Sequence, residues 1–111
     1  MALSAKNRLS KKRDFDTAFK NGKTVRGSFL FIKLAQNGQP VSRFGFVISS
    51  KVLKRATTRN KIRRYLSDFI RFNINKIKAG YDIIVIIRNG AVEIDKLRED
   101  LRNILGLSRI I

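Results

Sequence analysis

The sequence predicts one α+β domain, a sheet with helices packed on it, in the order α-β-β-α-β-α. Three observations carry this reading. The chain has 111 residues, enough for one hydrophobic core and too few for two. Hydrophobic residues make up 43%, which supports a packed interior and argues against wholesale disorder. Three stretches repeat apolar residues at helical spacing, and short aromatic or β-branched runs lie between them.

In chain order, residues 1–9 read as an extended, flexible arm. Ser10 can cap a helix over residues 11–20, with Asn21-Gly22 as its stop. Phe15, Ala18 and Phe19 share one face of that helix at i, i+3 and i+4. Residues 28–34 and 43–50 read as strands. The turn cluster Gln36-Asn37-Gly38-Gln39-Pro40 between them suggests an antiparallel hairpin. A second helix starts near Thr57 or Thr58 and runs to about Lys78, before Gly80. Its apolar set is Ile62, Leu66, Phe69, Ile70 and Ile77. Residues 82–88 form a strand of the fully buried kind, continuously apolar from Ile83 to Ile87, which places it centrally in the sheet. Asn89-Gly90 is a turn. Residues 95–105 form a third helix, with Leu97, Leu101, Ile104 and Leu105 inward and Gly106 ending it.

The formal net charge is +17, from 25 Lys and Arg against 8 Asp and Glu. Self-repulsion of that size destabilises a small domain, and a polyanion relieves it; nucleic acid is the commonest one. The charge is uneven. Residues 1–67 carry 17 basic residues and two acids, Asp14 and Asp16, whereas residues 68–111 carry 8 basic residues and 6 acids. The partner is therefore expected to meet the first two-thirds of the chain. With no Cys and no His, disulfides, thiol catalysis and imidazole general bases are excluded. No apolar run approaches the roughly 20 residues of a membrane span, and the N-terminus lacks the apolar core of a signal peptide. A cytoplasmic location without a membrane partner is the expectation.

The most informative segment is Lys51–Arg64, KVLKRATTRNKIRR. It holds seven basic residues (Lys51, Lys54, Arg55, Arg59, Lys61, Arg63, Arg64) and no acid. It spans a loop and the first turns of a helix, whose N-terminus itself attracts phosphate. At helical spacing, Asn60, Arg63, Arg64, Ser67 and Arg71 lie opposite the apolar stripe, and Arg59 lies at the border. Arginine's planar fork holds a phosphate through two hydrogen bonds, and the Asn60 amide can donate and accept at once. A merely solvated helix interleaves acids, because like charges at i,i+4 such as Arg59 and Arg63 repel. Here none appears before Asp68. Charge and class alone leave open a ribosomal or other structural RNA-binding protein and a DNA-binding module.

The pattern Ala56-Thr57-Thr58-Arg59-Asn60-Lys61-Ile62-Arg63-Arg64, after a strand ending Ile48-Ser49-Ser50, resembles the "RNR" signature of bacterial ribonuclease P proteins. Arg8-Leu9 followed by Asp14-Phe15 and Phe19 is similar to the family's first helix. Phe69-Ile70-Arg71 matches the end of its signature helix, and Gly80-Tyr81-Asp82-Ile83-Ile84-Val85-Ile86 its Gly-x-Asp strand. Lys61 stands where the family usually has Arg, and Leu53 where many members have Gly.

The resemblance implies a single RNA-binding domain, an α/β sandwich whose mixed sheet contains a left-handed β-α-β crossover. It implies docking on the catalytic RNA through Arg59, Asn60, Lys61, Arg63 and Arg64, led by Lys51, Lys54 and Arg55. It also implies a cleft for the single-stranded 5′ leader of precursor tRNA. Phe15 and Phe19 would line this cleft from the helix, and Phe31 or Ile32 from the sheet. Lys11, Lys12 and Arg13 would lie beside its phosphates. By periodicity alone, Phe15 and Phe19 read as an ordinary core pair; it is the resemblance that sets the cleft reading level with it. No catalytic or metal-ligating residue is expected in the protein. Asp14 and Asp16 are its only carboxylates before Asp68, too few for a metal-dependent nuclease. The resemblance instead places Mg²⁺ on the RNA and substrate. It makes the chain part of a tRNA-processing endoribonuclease with no obligate protein partner.

Overall fold

The computed structural model describes residues 3–88 and 93–110. Three α-helices and four strands follow one another as α1 (Lys12–Asn21), β1 (Lys23–Arg26), β2 (Leu30–Gln36), β3 (Arg43–Val47), α2 (Ala56–Phe72), β4 (Tyr81–Ile87) and α3 (Ile94–Leu107). The order is α-β-β-β-α-β-α, one strand more than the sequence suggested. The extra strand, β1, is short and polar, so it carries no period-2 apolar signal. It pairs with β2 through a tight turn in which the Gly27 amide donates to the Leu30 carbonyl, 2.8 Å.

The expected hairpin between β2 and β3 does not form. The sheet order is β1-β2-β4-β3, with β4 antiparallel to β2 and parallel to β3. Burial explains this. Ile83, Ile84 and Val85 are fully buried, so β4 must be covered on both faces and paired on both edges. The turn cluster spans the start of β4 instead of closing a hairpin. The Asn37 amide nitrogen donates to the Gly80 carbonyl (2.9 Å), and its side chain donates to Asp82 (2.8 Å). Gly80 has φ +93°, a conformation that favours glycine.

Alternation splits the sheet into two faces. Leu30 and Ile32 on β2, and Ile83, Val85 and Ile87 on β4, join Ile62, Leu66 and Ile70 of α2 and Leu97, Leu101 and Ile104 of α3 in the main core. Burying each such side chain contributes about 1.5–3 kcal/mol. On the other face, Ile84 packs with Ala18 and Phe15 of α1 and with Leu9.

Three boundaries differ from expectation. Ser10 does not cap α1; Lys11 holds the cap position without a side-chain bond. The second helix ends at Phe72, followed by a 3-10 turn over Ile74–Lys76, so Ile77 is buried from outside the helix. The third continues through Gly106 to Leu107. It is closed by Arg109 at φ 60°, with the Ile110 amide donating to the Leu105 carbonyl and Ile110 buried beneath. The expected Asn89-Gly90 turn lies outside the described residues.

The segment expected as a flexible arm is packed from Leu3 onward. Leu3 and Leu9 are buried, and Ala5–Asn7 form a 3-10 turn. Arg8 bridges Phe44 in parallel at the free edge of β3, where the Leu9 amide donates to the Phe44 carbonyl, 2.9 Å. Buried Asn7 donates to the Ser42 carbonyl, 2.8 Å. Two apolar side chains and an open strand edge are sufficient reason for the arm to dock.

Candidate nucleic-acid interface

The loop from Ser49 to Arg55 is built before the helix it feeds. The Ser49 carbonyl accepts from the amides of Val52 (3.1 Å) and Leu53 (2.9 Å), and the Ser49 hydroxyl accepts from Lys51 (3.0 Å). Val52 and Leu53 pack against the main core, and the chain keeps negative φ at Leu53. A leucine therefore fits where many family members carry glycine. Arg59, half-buried, reaches back and donates to the carbonyls of Leu53 (2.8 Å) and Lys54 (3.0 Å). Its guanidinium clasps the loop to the helix, and Lys51, Lys54 and Arg55 remain exposed.

No side chain caps the N-terminus of α2, and no acid lies in its first turn. Its leading amides and partial positive charge thus point toward the loop's cations, an arrangement suited to phosphate. Asn60, Lys61 and Arg64 are exposed. Arg63 is half-buried and donates to the Asn60 side-chain oxygen, 2.8 Å, which orients that amide. Ser67, expected on the outer face, is instead buried, on the side of α2 that shares a cleft with the docked N-terminal segment.

The second predicted site lies on the opposite sheet face. The Phe15 ring lies over Gly45, where an added Cβ would stand 2.9 Å from it. Phe19, one turn on, is 44% exposed, and the Lys33 ammonium sits 5.5 Å from its ring centre. Core packing thus claims Phe15 and leaves much of Phe19 open. Phe31 faces this side, half-buried, with the Arg26 guanidinium 5.9 Å from its ring. Ile32 does not: it is fully buried in the main core, because period-2 alternation turns it away from α1. Arg26, Phe31, Ile86 and Val47 stand side by side across all four strands, an apolar row with a cationic end. Lys11, Lys12 and Arg13 are exposed on the first turn of α1 and just before it.

An ion-pair network ties α1 to the sheet. Arg43 on β3 donates twice to Asp82 on β4 (2.8 and 2.7 Å) and once to Asp14 on α1 (3.1 Å). The hydrogen bonds to Asp82, reinforced by the charges of Asp82 and Asp14, hold the Arg43 pKa above its ordinary value. Asp14, in the first turn of α1, therefore anchors its helix to the sheet. Among the described residues no group of three or more His, Cys, Asp or Glu could hold a metal ion. None of the described helices is long and apolar enough to cross a membrane.

The family profile described as Ribonuclease P matches residues 3–107. The chain belongs to the bacterial ribonuclease P protein family. The ribonuclease P protein component of Alkaliphilus oremlandii is 38% identical over 91 residues, 82% of this chain and 79% of that protein. That of Fusobacterium nucleatum is 37% identical over 111 residues, 95% and 99% of the two chains. The solved ribonuclease P protein of Thermotoga maritima superposes with TM-score 0.79 at 35% identity, covering 90% of this chain and 96% of that one. The Staphylococcus aureus structure does so with TM-score 0.84 at 26% identity, covering 94% and 96%. The chain is thus a protein component of ribonuclease P. Partnership with ribonuclease P RNA and a place in tRNA processing follow from the family.

Seen in that family, the structure gathers the expected basic residues at one end of α2 and gives Arg59 an internal task. Sequence reasoning missed Arg26, Lys33, Val47 and Ile86 on the α1 side of the sheet. Lys33 was findable, since it alternates with Phe31 at i,i+2. The others are placed by strand order alone.

Proposed function

We propose that the acid-free basic end of α2 docks on the catalytic RNA while the α1–sheet cleft holds the 5′ leader of precursor tRNA, with the RNA and its bound Mg²⁺ performing the hydrolysis. The observation that carries this reading is Phe19, a large ring left 44% exposed beside a cation on a sheet whose other face is densely packed. Every base has a π-face, so an exposed ring beside Lys33, on the sheet face that also presents Phe31 and Arg26, suits single-stranded RNA of any sequence. In the docking role, Lys51, Lys54, Arg55, Asn60, Lys61, Arg63 and Arg64 meet phosphates, and Arg59 holds the loop that presents them. The protein lengthens the substrate contact and screens repulsion between two RNAs, an effect that grows as Mg²⁺ and salt fall.

The test is cleavage of a precursor tRNA by a bacterial ribonuclease P RNA at low Mg²⁺, with and without the protein. Stimulated 5′ processing, with no cleavage by the protein alone, is the expected result. A folded protein that binds RNA but gives no stimulation with any bacterial ribonuclease P RNA would overturn it.

A further inference from the structure

A cleft of about 480 Å³ opens between the docked N-terminal segment, β3 and α2. Its size falls within the range of about 300–1,000 Å³ that accepts small organic ligands. Leu3, Phe44 and Phe46 give it an apolar wall; Phe44 is buried and Phe46 half-buried. Arg8, Arg63 and Arg64 line it as well, and no acid does. Asn60 adds an amide whose oxygen is already engaged by Arg63, leaving its two N–H donors for a ligand.

We propose that this cleft receives one unpaired nucleotide of the catalytic RNA, its base against Phe46 and its phosphates on Arg8 and Arg64. The proposal rests on the docking role assigned above to the same end of α2, and extends it from phosphate contact to capture of a base. An apolar wall ringed by three arginines without an acid complements a nucleotide, whose flat base is apolar on its faces and whose phosphates are anionic. The opposite wall is held in place before any ligand arrives. The backbone that presents Arg8 is fixed by its bridge to Phe44, the Leu9 amide bond beside it and the Asn7 bond to Ser42. A rigid wall lowers the ordering cost of binding.

The experiment compares the wild-type protein with Phe46→Leu, Arg8→Ala and the Arg59→Ala/Arg63→Ala double variant in assembly with ribonuclease P RNA. Chemical probing of the RNA bases is done in each complex. Leucine keeps the apolar volume at position 46 and removes the ring face. Phe46→Leu should weaken assembly about tenfold. Its salt dependence should be unchanged, and one base protected in the wild-type complex should become reactive. Arg8→Ala should lower the salt slope by about 0.7–0.9, the mark of one lost phosphate contact.

Wild-type affinity for Phe46→Leu, with no base changing reactivity, would overturn the cleft while the double variant still reports on docking. If the double variant also assembles normally, the docking reading itself fails. A Phe46→Leu defect confined to leader-bearing substrate would assign the cleft to the leader and likewise overturn the proposal. Should Phe46→Leu not fold, the wild-type protein still decides. Adenosine 5′-monophosphate should shift the amide resonances of Phe46 and Ser67, and ribose 5-phosphate should not. Equal shifts from both would sink the base pocket.

Discussion

Asp100 is the side chain on which the sheet's outer edge depends. It is buried on α3, and its carboxylate accepts from the backbone amides of Ser28 (2.9 Å), Phe29 (2.9 Å) and Leu30 (3.1 Å). Gly27 leaves room for it; a Cβ there would meet the carboxylate. Asp100→Ala strands these donors, and we expect a loss of about 2–4 kcal/mol, read as a lower urea midpoint. Arg26 and Phe31 flank the β1–β2 turn, so this fold contact also sets one end of the surface proposed above for the leader. Phe19 is the contrasting case. Exposed as it is, Phe19→Ala should cost less than about 1 kcal/mol of stability. It should weaken binding of leader-bearing precursor about tenfold and spare leaderless tRNA. Equal losses on both substrates would mark it as a core residue. The i,i+4 spacing of Phe15 and Phe19 was legible in the sequence. Which ring the core would claim was not, because that depended on Gly45 lying under Phe15.

Among the elements, α2 joins fold and function most closely. Its inner stripe is core, its N-terminus is uncapped, and Arg59 fastens the preceding loop through two carbonyls. Arg59→Ala should therefore speed amide exchange across residues 51–58 as well as weaken RNA assembly. Both bonds leave one guanidinium nitrogen, so Arg59→Lys, whose ammonium carries three donors, should restore part of the loop's protection. Arg63→Ala should weaken assembly without altering loop exchange. The strongly periodic elements α2, α3 and β4 were readable because their burial imposes a repeat on the sequence. The polar edge strand β1 was not. Nor was the absence of a β2–β3 hairpin: a turn-rich loop between two strands reads the same whether they pair or admit a third strand between them.

At the level of the whole molecule, a net charge of +17 on 111 residues sets the conditions of stability. Raising salt from about 0.01 to 0.15 M shortens the screening length from about 30 to 8 Å. The thermal midpoint, followed by circular dichroism, should rise accordingly. RNA affinity should move the other way, with log K falling linearly in log salt, since counterions are released at each phosphate contact. A flat dependence would mean that assembly is not driven by phosphate.

By itself the sequence determined the class of the domain, its central strand, its inward helix faces, its excess of positive charge and the acid-free basic segment that leads into α2. Composition and periodicity encode these directly, because each reflects a local requirement for burial or charge. Only the tertiary structure decided the strand order, the docking of residues 3–9 on β3, the turning of Phe31 toward α1 and of Ile32 away, and the retention of Arg59 by its own loop. Each of these depends on which distant segments meet. Neighbours in space are chosen by competition for buried edges and faces across the whole chain, and no local spacing records that outcome.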